Sequence, residues 1–153
     1  MTGTGTGSAN DGGMWQSAIS NAVAAWNNAG VGANLTASST VSSNYTIKVE
    51  ENDAGWYGLC SQIYGASSGS TSKGVITLNS RTLPSGTTTN DANFRQSVAV
   101  HEMGHLLSLA DNPPVATGNE SIMSYARNKT VVITPQAFDV GNVRFRYNTF
   151  NSP

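Results

Sequence analysis

The chain has 153 residues, a formal net charge of −1 and only 11% charged residues. That length suits one domain with a core of its own, and the charge balance offers nothing to nucleic acid or to an anionic membrane surface. No apolar run approaches the ~18 residues needed to cross a bilayer, and the opening MTGTGTGSANDGG lacks the basic start and apolar stretch of a signal peptide.

In chain order, residues 1–13 alternate Thr with Gly up to Gly7. They read as a flexible or weakly structured leader, since glycine-rich segments make poor strands. The first strong signal is MWQSAISNAVAAWNNAG, where Trp15, Ala18, Ile19, Ala22, Val23 and Trp26 recur at three- and four-residue spacings. That is one apolar face of a helix, with Gly30 as its stop. Tyr45, Ile47 and Val49 alternate with Thr46, Lys48 and Glu50, the period of a half-buried strand. Residues 52–74 read as a long Gly- and Ser-rich loop, GVITLNS at 74–80 as a second strand, and Pro84-Ser85-Gly86 as a turn.

A second helix is expected from a cap near Thr89–Asp91, through Phe94 and Val98, to about Leu107. Pro113, Pro114 and Gly118 break the following stretch. Thr134-Pro135 then pairs an N-cap with proline at the first helical position, opening a last helix that carries Phe138, Val140 and Val143. No internal repeat or second domain is visible. The single cysteine, Cys60, has no internal disulfide partner, so the redox compartment stays open. Polarity carried by Ser, Thr, Asn and Gly rather than by charge suits a secreted protein.

The second helix holds HEMGH, His101 to His105, which contains both histidines of the chain. Residues four apart share a helix face, so the two imidazoles can aim at one point, where Zn2+ is the natural occupant. Glu102 lies about 100° round the helix from His101. It is better placed to take a proton from a metal-bound water than to bind the metal. The apolar flanks SVAV and LLSLA make this a buried helix rather than a solvated face. A working site usually has three protein ligands, and the candidates for the third are Asp111, Glu120, Cys60 and Asp139. A sharp turn after Ser108 would deliver Asp111, whereas Glu120 needs a later helix that the double proline disfavours; Asp111 is the preferred reading.

HEMGHLLSLAD resembles the extended zinc motif of the metzincin endopeptidases, in the variant with aspartate as third ligand seen in snapalysins. SIMSY at 121–125 is similar to their methionine turn, with Met123 in the key place and Tyr125 where astacins and serralysins have a tyrosine that reaches the zinc or the transition state. ISNAVAAWNNAG resembles the first helix of snapalysins and matrixins, and TPQAFDVGNVRFRY the C-terminal helix of matrixin-like bacterial proteases. Three features depart from the pattern: Ser108 replaces the usual glycine, Thr-Gly repeats stand where a good first strand is usual, and an aspartate ligand accompanies an astacin-like turn. A non-Gly residue at positive φ costs on the order of 1–2 kcal/mol.

The resemblance implies an α+β, metzincin-like (zincin) fold: a twisted mixed sheet with an N-terminal helix, an active-site helix and a C-terminal helix, forming one catalytic domain over 14–150. It implies a secreted, monomeric zinc endopeptidase that hydrolyses protein substrates. His101, His105 and Asp111 would hold zinc, Glu102 would act as general base, and Tyr125 would donate a hydrogen bond. Calcium cannot be read from these residues. The substrate would pair with an edge strand, expected to be GVITLNS, beside a pocket walled by Arg127, Asn128 and Lys129. The alternatives are a thermolysin-like enzyme using Glu120, or a catalytically silent zinc- or peptide-binding module.

Overall fold

The computed structural model describes residues 2–6, 13–37, 45–64 and 71–150. Five strands, β1 (Thr2–Thr6), β2 (Thr36–Ala37), β3 (Tyr45–Glu50), β4 (Gly58–Tyr64) and β5 (Thr71–Asn79), form one sheet of order β2-β1-β3-β5-β4 among these residues. Strands β2, β1, β3 and β5 run parallel, and β4 is antiparallel to β5 at the sheet edge. The helices are α1 (Met14–Asn28), α2 (Thr89–Leu106) and α3 (Ala137–Phe150).

Helix α1 forms where the three/four spacing predicts. Trp15, Ala18, Ile19, Ala22 and Trp26 are buried, and the Trp26 indole donates to Val100 O at 2.9 Å, fixing α1 against α2. Gly30 follows with φ 62°. Alternation holds in β3 as well, with Tyr45 and Ile47 buried in the core with Ile76 and Leu78 of the neighbouring β5. Gly74 lets α2 approach closely, since a Cβ there would stand 3.0 Å from Tyr45 Cδ1 and 3.1 Å from Leu106 Cδ2. Helix α3 is tied to the end of α1: Val143 is fully buried, and Arg144 Nε donates to Gly30 O at 3.1 Å.

Five expectations need correction. Residues 2–6, read as a leader, form β1 inside the sheet between β2 and β3; parallel neighbours on both sides supply backbone partners that Thr-Gly side chains do not advertise. The segment read as one long loop contains β4 and the start of β5. GVITLNS is therefore interior, and β4 is the edge. The cap of α2 is Thr88, whose hydroxyl accepts from Asp91 N while the Asp91 carboxylate accepts from Thr88 N, a reciprocal pair. Helix α3 starts at Ala137, because the Asp139 carboxylate accepts from Gln136 N at 2.8 Å and so sets the first turn two residues after Pro135.

Candidate metal centre

The second half of α2 runs beneath β4 and is buried almost all round, from Ser97 to Gly104. His101 and His105 face the same opening, their rings 5.0 Å apart and nearly perpendicular. Each Nδ1 meets a backbone carbonyl: His101 Nδ1 lies 3.0 Å from Ile122 O and His105 Nδ1 2.9 Å from Leu109 O. With Nδ1–H donating there, both Nε2 lone pairs point into the opening.

The chain after α2 turns as the position of Ser108 demands. Ser108 has φ 64°, its N–H donates to His105 O at 2.9 Å, and Leu109 N–H donates to Gly104 O at 3.0 Å. These are the two bonds of a Schellman helix stop, with serine in the left-handed place usually held by glycine. The turn brings Asp111 Oδ1 to 3.1 Å from His101 Nε2 and 3.4 Å from His105 Nε2. Donors around a tetrahedral zinc at ~2.0–2.1 Å stand roughly 3.3–3.4 Å apart, so the set fits that ion. Among the described residues, these three alone form such a cluster, with donor atoms within 4.8 Å of one another.

Glu102 sits beside the cluster, its Oε1 4.0 Å from His101 Nε2. Burial, then the Asp111 charge, pushes its carboxyl up to about 8. Burial, then the Arg127 charge, pushes His101 down to about 4, which keeps it neutral, as a ligand must be. Gly58 of β4 makes room for Glu102: a Cβ at position 58 would stand 2.6 Å from Oε1 and 2.7 Å from Cγ. Gln62, on the same strand, donates to His105 O. The sequence pattern marks neither residue, because their importance arises only when β4 lies across α2.

Below the cluster, Met123 is buried against Gly104, where a Cβ would come within 2.5 Å of its Sδ. The turn that carries it is tied at both ends. Asp139 accepts from Ser121 Oγ at 2.6 Å and Ile122 N at 2.8 Å, and Asn112 N donates to Met123 O at 3.0 Å. Tyr125 is 57% exposed. The neighbouring Asp111 carboxylate pushes its hydroxyl up to about 12.

The other third-ligand candidates lie elsewhere. Glu120 is exposed and outside the cluster. Asp139 is committed to its three donors. Cys60 is half-buried, and burial, then the Glu102 charge, pushes its thiol up to about 12, so it stays protonated at neutral pH. The cluster opens into a cleft of about 1010 Å³, roofed by Trp56, Tyr57 and Gly58 and walled by Tyr125, Arg127 and Lys129. Asn79, fully buried, shapes that roof by donating to the carbonyls of Asn52, Ala54 and Trp56, each at 3.0 Å.

These features define a mixed helix-and-sheet domain with a cluster of three potential metal donors at the floor of an open cleft. No protein-family model and no curated protein matches the chain. Among solved structures it is similar to a chain of the "GM1 bound form of the ECX AB5 holotoxin", with a TM-score of 0.59 and 12% identity, over 94% of this chain and 78% of that one. At that identity the likeness shows the fold alone. GM1 binding and AB5 assembly are said of the holotoxin.

The family-level expectations are corrected on these findings. The chain is not assigned to the metzincins, and the zincin fold name, the zinc endopeptidase activity and the protease description are not carried forward. The structural likeness found is to a chain of a GM1-bound AB5 holotoxin. The physical reason is the reach of the motifs. HEMGHLLSLAD and SIMSY constrain one helix, one turn and the groups around one ion, and a local constellation does not by itself specify a family or a reaction. Among the described residues no helix is long and apolar enough to cross a membrane.

Proposed function

We propose that this chain binds one zinc ion through His101, His105 and Asp111, with Glu102 beside the open side of the site as a proton acceptor. The observation that carries this reading is the donor spacing, 3.1 and 3.4 Å between Asp111 Oδ1 and the two Nε2 atoms. Zinc held by three protein donors keeps a position for water, lowers its pKa toward ~7 and stabilises negative charge on a bound oxygen.

The remaining chemistry belongs to the chain's own groups. The carbonyls of Ile122 and Leu109 hold each imidazole in the tautomer that presents Nε2. Gly58 and the β4 strand shield Glu102 from solvent, so its carboxylate is a stronger base than an exposed one. Tyr125, exposed and lining the cleft with Asp111, offers a hydroxyl at its mouth. The low charge content and the likeness to a holotoxin chain both support a place outside the cell.

X-ray absorption at the zinc edge tests the ligand set directly. Two imidazoles and one or two oxygen donors at ~2.0–2.1 Å are expected; a sulfur shell at ~2.3 Å would assign Cys60 and sink this reading.

A further inference from the structure

The cleft wall beyond His101 is cationic, and the metal site does not use that charge. Arg127 is half-buried against α2: its Nε donates to Ser97 Oγ at 3.0 Å, Nη2 to Ser97 O at 3.2 Å and Nη1 to Ser124 O at 2.8 Å. All three acceptors are neutral. Nη1 also lies 3.4 Å from His101 Nδ1, but that nitrogen already donates to Ile122 O, so the contact gives the cation no partner. Lys129 Nζ donates to Tyr125 O at 3.1 Å and stands 5.6 Å from the Tyr57 ring centroid and 5.8 Å from that of Phe94.

Among the described ion pairs, neither Arg127 nor Lys129 takes part. The two carboxylates in the cleft, Glu102 and Asp111, face the imidazole Nε2 atoms, whereas Arg127 sits behind His101 on its Nδ1 side. The charges of Glu102, Asp139 and Asp111 reach Arg127 from beyond ion-pair distance; with a dication between the histidines, Glu102 and Asp111 are occupied, and neither wall cation has a paired counter-charge. Half-buried cations without a directly paired counter-charge carry a desolvation cost that an anionic ligand offsets.

We infer that the cleft takes a ligand bearing a carboxylate, seated on Arg127 and Lys129 about one imidazole's width beyond the metal position. This rests on the zinc reading above. Guanidinium and ammonium groups both bind carboxylates through charge-assisted hydrogen bonds. The aromatic pair Tyr57 and Phe94, 5.1 Å apart edge to face, holds Lys129 at the cleft rim.

The test uses two-ended probes on the zinc-loaded full chain. Succinic and adipic monohydroxamates, whose hydroxamate anchors to zinc, are compared with the same molecules ending in a carboxamide. Zinc content is measured on every sample. The carboxylate of at least one length is expected to bind roughly tenfold tighter or more than its carboxamide. In Lys129→Gln, with zinc unchanged, that preference should fall severalfold; Arg127→Lys, which keeps the charge but loses the fork, should fall less. Equal affinity of carboxylate and carboxamide at both lengths, with one zinc bound, overturns the inference and leaves the metal reading standing. A preference untouched by Lys129→Gln and by Arg127→Gln also overturns it. Samples that hold no zinc overturn both.

Discussion

Replacing Glu102 by Gln in zinc-stripped protein should make the chain more stable at alkaline pH, by an amount that grows with pH. Burial, then the Asp111 charge, pushes the Glu102 carboxyl up to about 8 from the ordinary 4.5. The folded chain therefore holds this proton more tightly than the unfolded chain. Between 4.5 and about 8 folding binds a proton, and stability falls as pH rises through that window. At about 1.36 kcal/mol per pH unit, the gap is worth roughly 4–5 kcal/mol at full ionisation, an upper figure because a charged carboxylate recruits water. Glutamine keeps the shape and does not titrate. Urea unfolding of both proteins at pH 5 and pH 9, after chelation and dialysis, reads the difference. The variant should match the wild type within about 1 kcal/mol at pH 5 and exceed it by roughly 3–5 kcal/mol at pH 9. A difference that stays constant between the two pH values would refute the claim that Glu102 is buried and proton-binding without its cation.

Ser108→Gly should stabilise the chain by about 0.5–1 kcal/mol in thermal or urea melts, since φ 64° is strained for serine and free for glycine; a loss of stability would mean that the turn is not left-handed. Gly104→Ala should cost about 1–3 kcal/mol, because the new Cβ would stand 2.5 Å from Met123 Sδ and 3.3 Å from the Trp26 ring; an unchanged melt would place Met123 elsewhere. Asp139→Ala should cost about 3 kcal/mol or more, leaving the Ser121 hydroxyl and the Ile122 and Gln136 N–H groups without their acceptor. Zinc affinity should weaken with it, as Ile122 O orients His101. Intact affinity would show that this carbonyl is held by other means.

Legibility in the sequence followed side-chain chemistry. Helix α1 and strand β3 were readable because their apolar residues keep a period that only one structure satisfies. Strand β1 was not, since TGTGT carries no apolar residue and is ordered by backbone pairing on both flanks. Strand β4 was hidden for a different reason: its half-buried residues Cys60 and Gln62, which line the cleft, are small or polar, although Cys60 also packs against the core. The cluster of His101, His105 and Asp111 could be anticipated from spacing and from the stop expected at Ser108. The roles of Gly58, Gln62, Asn112 and Asn79 could not, as each acts on a residue distant in the chain. The family and activity drawn from the motifs reached beyond what short motifs determine, and the likeness found among solved structures is to a holotoxin chain instead.

The central claim is that Asp111 completes a zinc site with the two histidines. Elemental analysis after exhaustive dialysis, on wild type, Asp111→Ala and Glu102→Gln side by side, tests it most directly. One zinc per chain is predicted for the wild type and for Glu102→Gln, and a large loss for Asp111→Ala. Full zinc in Asp111→Ala, or none in the wild type, would contradict the account.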